Sequence, residues 1–290
     1  MKPAPFEYYA PTTLDDALEL MARFGDQARP LAGGQSLVPL MNFRLLRPAQ
    51  LIDLNGIREL NFITAENNQL RIGAMARQRA LEKSSVVADR WPLLKEASAF
   101  IGHIQIRNRG TVGGSLAHAF PSAELPVALV TLGASFVLRS RDKRRTIAAG
   151  DFFQSYMTTA LEPGELLTEI IVPSSTPASG ASYQEVSRRH GDFALAGAAA
   201  LIAVDARGTI ERARLTLTGT TPIRAEEAEQ SLVGQQPREE LFLNAAQLAT
   251  KELEQESDIH ATADYRRSVC AVLAQRALAQ AAQRAKESPR

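Results

Sequence analysis

The sequence predicts an α+β protein with two domains, the second of them a small sheet followed by helices. Its 290 residues are more than a single domain usually contains. Helical spacings of apolar residues are interleaved with short strand and hairpin patterns. A Pro- and Ser-rich segment at 173–180 separates two apolar-patterned regions. We therefore expect one domain over residues 1–173, with subdomains at about 1–56 and 57–173, and another over residues 174–290.

The first subdomain is predicted to be a small β-α-β layer. Two threonines and two aspartates precede apolar residues at helical spacing up to Gly25, which is typical of a capped amphipathic helix. A strand over 29–32, a glycine turn, a short helix within 36–46 and a strand over 51–54 should follow. A layer of roughly 50 residues is short enough to need a neighbour over its second face.

The second subdomain begins with the best hairpin pattern in the sequence. Residues 62–64 and 70–73 have strand character, and Glu-Asn-Asn at 66–68 supplies the turn. The basic run at 139–145 lies between apolar strands, so a solvated hairpin tip is favoured over a surface for docking a partner. Further expected elements are helices over 76–83, 92–100 and after Pro121, and strands over 135–139, 145–148 and 166–172.

The C-terminal domain is predicted to be a sheet covered by a helical layer. Apolar runs at 194–204 and 213–217 indicate strands. Three helical stretches should begin near Arg224, Arg238 and Ala263. A sheet followed by helices is a common way to bury one apolar face.

Composition excludes several functions. The 33 Lys and Arg residues are balanced by 32 Asp and Glu residues, so the chain has no strong field for nucleic acid. The only cysteine, Cys270, excludes an internal disulfide and an iron–sulfur cluster held by this chain's own thiolates. The four histidines form no ligand motif, so no metal site is expected. With neither a signal-peptide pattern nor a long apolar stretch, we expect a cytoplasmic protein without a membrane span.

A glycine pair between a predicted strand and a predicted helix is the strongest local signal. Glycine permits positive φ angles and close backbone approach, so successive N–H groups and the following helix can face one anion. Ser36 adds a hydroxyl donor. The alternative is an ordinary tight turn between a strand and a helix. This first loop consists of Leu31, Ala32, Gly33, Gly34, Gln35, Ser36 and Leu37.

A second loop, in the next subdomain, repeats the pattern of paired glycines followed by serine. It contains Thr111, Gly113, Gly114 and Ser115, and His118 follows. Two such loops from different subdomains could hold one diphosphate between them, with a dinucleotide lying in the cleft. Neither loop has GxGxxG or GxxxxGK[ST] spacing, so the Rossmann and P-loop interpretations fail.

Three segments carry a resemblance to a known family: AGGQSL at 32–37, RNRGTVGGSLAHAFPSAELP at 107–126 and SRRHGDFALAG at 187–197. They resemble the flavin-binding medium subunits of molybdenum hydroxylases, a family that includes the carbon monoxide dehydrogenase medium subunit and the flavin domain of xanthine dehydrogenase. The resemblance covers nearly the whole chain in order. It implies FAD bound by a vanillyl-alcohol-oxidase-like (PCMH-type) domain with two subdomains, followed by a C-terminal domain of the carbon monoxide dehydrogenase flavoprotein type.

The resemblance also implies roles for individual residues. The first loop would bind the diphosphate through main-chain donors, and Thr111, Gly113, Gly114 and Ser115 would do so from the other side. Glu124 would accept from a ribose or adenine-side hydroxyl, since a carboxylate can accept from two donors at once; an acidic residue would also favour the start of a helix there. His118, Leu167 and Tyr183 complete the implied FAD site, although the residues alone favour His118 as a structural histidine beside the loop.

The sequence departs from the family at two places. Phe120 stands where an Asp is often found, and residues 183–185 lack a Lys that often precedes the Arg pair. The segment at 188–193, which contains Arg188, Arg189, Asp192 and Phe193, could border the flavin, contact another subunit or form a solvated turn. The glycines are unchanged, so FAD binding is still expected.

The resemblance implies the FAD-binding electron-transfer subunit of a heterotrimeric molybdenum hydroxylase. A large subunit would carry the molybdenum cofactor and a small subunit two 2Fe–2S clusters, while FAD on this chain would pass electrons to an external acceptor. The assembly could be a dimer of heterotrimers. The sequence contains no convincing acid–base pair, nucleophile or metal triad, so no catalytic residue is predicted. The alternatives are a stand-alone flavoprotein oxidoreductase of the same fold and a non-catalytic assembly module.

Overall fold

The computed structural model describes residues 2–174, 178–251 and 253–288. Its N-terminal elements are β1 (Glu7–Tyr9), α1 (Leu14–Phe24), β2 (Ala28–Leu31), α2 (Leu37–Asn42) and β3 (Gln50–Asp53). The three strands form a parallel sheet in the order β1-β3-β2. The predicted β-α-β layer is therefore confirmed, with β1 added at its edge.

Helix α1 begins and ends at the residues that the sequence pattern predicts. The Thr13 hydroxyl accepts from the Asp16 N–H at 3.2 Å, and Gly25 ends the helix with a φ angle of 52°. Helix α2 is shorter than predicted, because the N–H groups of Leu45 and Leu46 both turn back to the Leu40 carbonyl. The apolar face of α1 packs against the sheet and closes this small core.

The second part of the chain combines a larger sheet with a cluster of helices. Its elements are β4 (Ile63–Glu66), β5 (Gln69–Gly73), α3 (Gln78–Lys83), α4 (Ser85–Arg90), α5 (Pro92–Phe100), α6 (Ile104–Arg109), α7 (Val112–His118), α8 (Glu124–Leu132), β6 (Ser135–Arg139), β7 (Arg144–Ala148), α9 (Ala149–Phe152), β8 (Phe153–Ser155), β9 (Thr158–Thr159) and β10 (Leu166–Pro173). Five strands form an antiparallel sheet in the order β4-β5-β10-β6-β7. Every residue of α8 is buried, so this helix lies at the centre of the core.

The hairpins of this sheet follow their sequence patterns. Asn67 and Asn68, which connect β4 to β5, both have positive φ angles, as a two-residue hairpin turn requires. Strands β6 and β7 pair around the basic run, which is the hairpin tip that its pattern predicts.

The C-terminal part is a four-stranded antiparallel sheet with three helices. Its elements are β11 (Ser179–Ser187), β12 (Ala194–Val204), β13 (Ile210–Leu217), β14 (Ile223–Arg224), α10 (Glu226–Leu232), α11 (Glu239–Thr250) and α12 (Ala263–Glu287). The three predicted helices are all present. Residues 175–177 of the predicted linker lie outside the described residues.

Two layers cover this sheet, one on each face. Helix α12 packs on one face of β11 and β12, while α5 and α8 pack on the other. Buried residues of the sheet, such as Tyr183 and Leu201, belong to the same apolar cluster as the core of the preceding sheet. An ion pair between Arg284 of α12 and Glu96 of α5, at 2.7 Å, adds a polar link. The C-terminal sheet therefore completes the core of the part before it.

Several elements are not predicted by the local patterns, namely β1, α4, α6, α7, α9, β8, β9, β11 and β14. Helix α7 contains Gly113 and Gly114, which disfavour a helix. It forms because Thr111 caps it, with its hydroxyl accepting from the Gly114 N–H at 3.1 Å. Its glycines then allow close packing, since a Cβ on Gly113 would lie 2.5 Å from the Ala74 Cβ.

A glycine in β11 sets the approach of α12 to the sheet. A Cβ at Gly180 would collide with the Ala281 carbonyl and the Ala285 nitrogen of α12. We predict that Gly180→Ala lowers the free energy of unfolding by about 1–3 kcal/mol through overpacking. Gly150→Ala is the matched control, since nothing lies within 4 Å of its added Cβ. Urea unfolding of both variants measures the difference, and equal stabilities would contradict the prediction.

Candidate cofactor-binding site

The two glycine loops lie against each other, although they are far apart in sequence. A Cβ on Gly33 would collide with the Arg109 carbonyl and approach the Gly110 Cα to 2.8 Å. A Cβ on Gly114 would lie 3.3 Å from the Ala32 Cβ. The absence of side chains at these positions is what allows the loops to touch. The two loops therefore meet at the boundary between the two subdomains, and a dinucleotide cleft there stays a prediction.

A polar network that the sequence patterns do not predict holds the loops together. The Arg77 guanidinium donates to the Arg109 carbonyl and, at 2.7 Å, to the Asn55 side-chain oxygen. The Asn55 amide donates in turn to the Ala32 carbonyl at 2.9 Å. Two carbonyls, one from each loop, thus point at a shared set of donors within the protein. Residues from three separate segments meet here, so no local sequence signal marks them.

Asp53 supports this network by binding Asn55. Asp53 accepts from Tyr8 at 2.5 Å and from the Asn55 backbone at 2.9 Å. Burial raises its pKa, but the hydrogen bonds from Tyr8 and Asn55 outweigh burial and leave the pKa below its usual value. Asp53 is therefore a carboxylate at neutral pH, which keeps Asn55 in position.

The first loop presents a row of free backbone donors. In the part of the chain that the structure describes, no protein atom accepts from the N–H groups of residues 33–36. Gly34 has a φ angle of 72°, a conformation that L side chains rarely adopt. Successive N–H groups in such a loop form a concave site for an anion. This geometry favours the anion-binding interpretation of the loop over an ordinary turn.

Three backbone N–H groups of the second loop already have acceptors within the chain. The Gly113 N–H donates to the Ala74 carbonyl at 2.8 Å, and the Ser115 N–H donates to the Thr111 carbonyl at 3.2 Å. The Gly114 N–H is held by the Thr111 hydroxyl. Helix formation and packing thus already use the N–H groups of Gly113, Gly114 and Ser115, and diphosphate binding from this side stays a prediction. The second loop offers a close-fitting wall instead.

Aromatic residues extend the second loop toward the C-terminal domain. His118 stacks on Phe120 with ring centroids 6.0 Å apart, and Phe120 contacts Phe193 at 4.6 Å. Burial lowers the pKa of His118, so its imidazole is neutral at pH 7. Phe120, which replaces the family's usual Asp, thus joins an apolar cluster between the domains.

A cavity of about 500 Å³ opens beside this cluster. Phe120 and Phe193 line it together with Tyr156, Arg188 and Asp192. Arg188 pairs with Asp192 at 3.2 Å, so the charges of the 188–193 segment are partly neutralised. The segment that follows the predicted linker therefore borders a cavity lined by residues of both domains, and which of its three interpretations holds stays a prediction.

Two carboxyl groups from different domains meet on the buried side of the site. Glu124 begins α8 and is buried, whereas Glu185 and Tyr183 lie on β11. The Tyr183 hydroxyl donates to Glu185 at 3.0 Å. Burial raises the pKa of Glu124 to about 8, with a contribution from the Glu185 charge, and burial raises the pKa of Glu185 to about 7. At neutral pH, Glu124 is therefore mostly protonated and can donate as well as accept.

The remaining predicted residue, Leu167, lies on β10 opposite Leu138 and is buried in the core. The predicted residues thus fall into three groups. The first loop and the second loop meet, Glu124 and Tyr183 share an interdomain cluster, and Leu167 belongs to the sheet beneath.

Comparison with known proteins assigns the chain to a family. The sequence model of the FAD binding domain in molybdopterin dehydrogenase matches residues 4–175, and that of the CO dehydrogenase flavoprotein C-terminal domain matches residues 181–281. The chain is thus a flavoprotein of the molybdopterin dehydrogenase class. It belongs to the family of FAD-binding subunits that these two domains define. The predictions of the family, the fold class, FAD as cofactor and an oxidoreductase subunit are confirmed.

Individual relatives match over almost their whole length. The alpha subunit of the 6-hydroxypseudooxynicotine dehydrogenase complex of Paenarthrobacter nicotinovorans is 42% identical, over 99% of this chain and 97% of the relative. The carbon monoxide dehydrogenase medium chain of Afipia carboxidovorans is 38% identical, over 99% of this chain and 100% of the relative. A chain of quinoline 2-oxidoreductase from Pseudomonas putida 86 superposes with a TM-score of 0.93 at 39% identity, covering 98% of this chain and 99% of its own.

No helix among the described residues is long and apolar enough to cross a bilayer. The cytoplasmic location stays a prediction.

The Glu124–Glu185 cluster predicts a pH dependence of stability. Because the pKa of Glu124 is raised from 4.5 to about 8, the folded chain keeps a proton that the unfolded chain releases between these values. The free energy of unfolding therefore falls as the pH rises through this window. Glu124→Gln removes this loss, so it should stabilise the chain by about 1–3 kcal/mol at pH 8 and by much less at pH 5.

Urea unfolding of the purified chain across this pH range measures the effect. Glu211→Gln is the control, since Glu211 is exposed on β13. Parallel pH curves for the parent chain and Glu124→Gln would contradict the assignment of a raised pKa.

Proposed function

We propose that this chain is the FAD-binding electron-transfer subunit of a heterotrimeric molybdenum hydroxylase. A large subunit carries the molybdenum cofactor, a small subunit carries two 2Fe–2S clusters, and electrons leave through FAD to an external acceptor. A dimer of heterotrimers is the proposed assembly. The observation that carries the proposal is the row of N–H groups at residues 33–36 that have no protein acceptor in the described chain, in a loop that lies against the second glycine loop.

The residues of the cleft fit the diphosphate of a dinucleotide. The N–H groups of Gly33, Gly34, Gln35 and Ser36 would donate to its oxygens, because no protein acceptor competes for them in the described chain. Leu31, Ala32 and Leu37 would form the wall on this side. Thr111, Gly113, Gly114 and Ser115 would form the opposite wall, where the missing side chains leave the backbone open to close approach.

The interdomain end of the cleft offers a different chemistry. Glu124, protonated at neutral pH, can hold a proton toward an acceptor or accept from a hydroxyl. Tyr183 positions Glu185 beside it, and His118 and Leu167 would provide neutral surroundings. FAD, when bound, supplies the redox chemistry, and these groups set its hydrogen bonding and its separation from water.

The role of an electron carrier requires neither a reactive thiol nor a metal site on this chain. Burial raises the pKa of Cys270 to about 11, so this thiol is a poor metal ligand and a poor nucleophile. The described residues contain no group of three or more side chains suited to a metal ion. Relatives named for a nicotine derivative, carbon monoxide and quinoline share this chain's fold. Substrate choice by a partner subunit accounts for that range.

We predict that the purified chain contains about one releasable FAD and that Gly33→Ala weakens FAD binding at least tenfold. The added Cβ would push the loops apart at the Arg109 carbonyl and misalign the donors. Absorbance of the flavin before and after heat release measures occupancy. Gly150→Ala should retain FAD, and circular dichroism checks that both variants are folded.

Purification of the chain also distinguishes the proposed function from the stand-alone oxidoreductase and the assembly module. A tagged chain expressed with its partner genes should bring down a molybdenum-containing subunit and an iron–sulfur subunit. A flavin-containing chain that oxidises a substrate alone would favour the stand-alone oxidoreductase. A colourless chain that does not take up added FAD would favour the non-catalytic assembly module.

A further inference from the structure

The Arg77 side chain links both glycine loops, one directly and the other through Asn55. Its guanidinium donates to the Arg109 carbonyl at the start of the second loop and, at 2.7 Å, to the Asn55 side-chain oxygen. The Asn55 side-chain nitrogen donates to the Ala32 carbonyl of the first loop at 2.9 Å. An amide has one accepting end and one donating end. Because Arg77 binds the oxygen, the nitrogen is the end that the first loop meets.

The backbone on either side of Arg77 is fixed to the second loop. Residue 77 forms an isolated antiparallel β-bridge with Thr111, and the Gln78 N–H donates to the Gly110 carbonyl at 3.0 Å. A long side chain loses conformational entropy when it makes two fixed hydrogen bonds. Here the backbone is already ordered, so only the side chain has to be held. Arg77 therefore extends from the second loop to Asn55 in the first subdomain.

The charge of Arg77 has no carboxylate in direct contact. Its side chain is half-buried and donates to two neutral oxygens, and it forms no ion pair in the part of the chain that the structure describes. Burial lowers the pKa of Arg77, the charge of Arg109 lowers it further, and the charge of Asp53 raises it. Two arginines thus share one carboxylate. The excess positive charge next to the first loop favours an anion there.

We propose that Arg77 is a positioning residue of the FAD site, which keeps both loops in the arrangement that binds the diphosphate by holding the Arg109 carbonyl and orienting Asn55. The inference rests on the proposed function. Without Arg77, the loops would take this arrangement only part of the time, and the affinity for FAD would fall by that fraction. A tenfold loss corresponds to loops that are in place about one tenth of the time.

The test measures FAD affinity and stability separately on the full-length chain. Titration of the FAD-free chain with FAD, followed by flavin fluorescence, gives the affinity, and urea unfolding gives the stability. Arg77→Ala should weaken FAD binding by about tenfold or more. Arg77→Lys keeps the charge but lacks the planar fork that binds two oxygens, so it should restore only part of the affinity. With excess FAD, both variants should show the flavin absorbance spectrum of the parent chain.

Arg214→Ala is the matched control. Arg214 is also half-buried, and its guanidinium donates to the Thr131 carbonyl at 3.2 Å. Burial is the largest cause of its lowered pKa, as it is for Arg77. It lies on β13 in the C-terminal sheet, so its loss should reduce stability and leave the affinity for FAD unchanged.

Asn55→Ala tests the indirect part of the contact. This variant should also weaken FAD binding, because the Ala32 carbonyl loses its donor. The double variant Asn55→Ala, Arg77→Ala should bind FAD almost as well as Arg77→Ala alone, since Arg77 acts on the first loop through Asn55. Losses that multiply in the double variant would show that the two side chains act independently, which contradicts the proposal.

The outcomes distinguish the inference from the function on which it rests. A parent chain that takes up no FAD overturns the proposed function and the role of Arg77 together. A parent chain that binds FAD, with Arg77→Ala binding it equally tightly, overturns the role of Arg77 alone. Full affinity in Arg77→Lys would show that only the charge matters, and an equal loss in Arg214→Ala would show a general structural effect. Either result also overturns the positioning role.

Discussion

The close approach of two backbones, at Gly33 and at residues 109–110, is the contact on which the proposed site depends. A single methyl group at Gly33 would collide with the Arg109 carbonyl. Because the loops touch, Arg77 can bind one carbonyl directly and reach the other through Asn55. The Ala32 carbonyl of the first loop is held in this way, while the N–H groups of residues 33–36 have no protein acceptor in the described chain. The site is therefore built mainly from backbone, and its side chains serve to hold that backbone.

Small residues also allow close packing within the C-terminal domain. Strand β12 is rich in alanine and buried along most of its length, with helices on both faces. Alanine and glycine permit α12 to approach the sheet closely, as the contact of Gly180 with the helix backbone shows. Dispersion contacts over such a surface are individually weak but numerous. The other face of this sheet packs against α5 and α8, and the C-terminal domain lines part of the cavity beside Phe193.

Sequence patterns predict the elements that are determined by interactions between residues close together in the chain. The Thr13 cap, the Asn67–Asn68 turn and the three C-terminal helices all follow from neighbours in the chain. Paired glycines followed by a serine, directly in the second loop and after Gln35 in the first, mark two loops that the structure brings into contact. Helix α7 is different: its glycines predict a loop, and it is helical because Ala74 and Ala76 accept its first N–H groups. The network of Asp53, Asn55 and Arg77 joins separate segments, so no periodicity reveals it.

In the Glu124–Glu185 cluster, the contact between the domains also sets the protonation of Glu124, a predicted site residue. Each carboxyl group comes from a different domain, and burial raises the pKa of both. Two charges there would repel each other in a poorly solvated space, so at least one proton is held while the domains are in contact. Tyr183 donates to Glu185, which favours charge on Glu185 and leaves the proton on Glu124. The acid at the start of α8 is thus kept neutral by the fold, and a neutral carboxyl can donate a hydrogen bond where a carboxylate could only accept one.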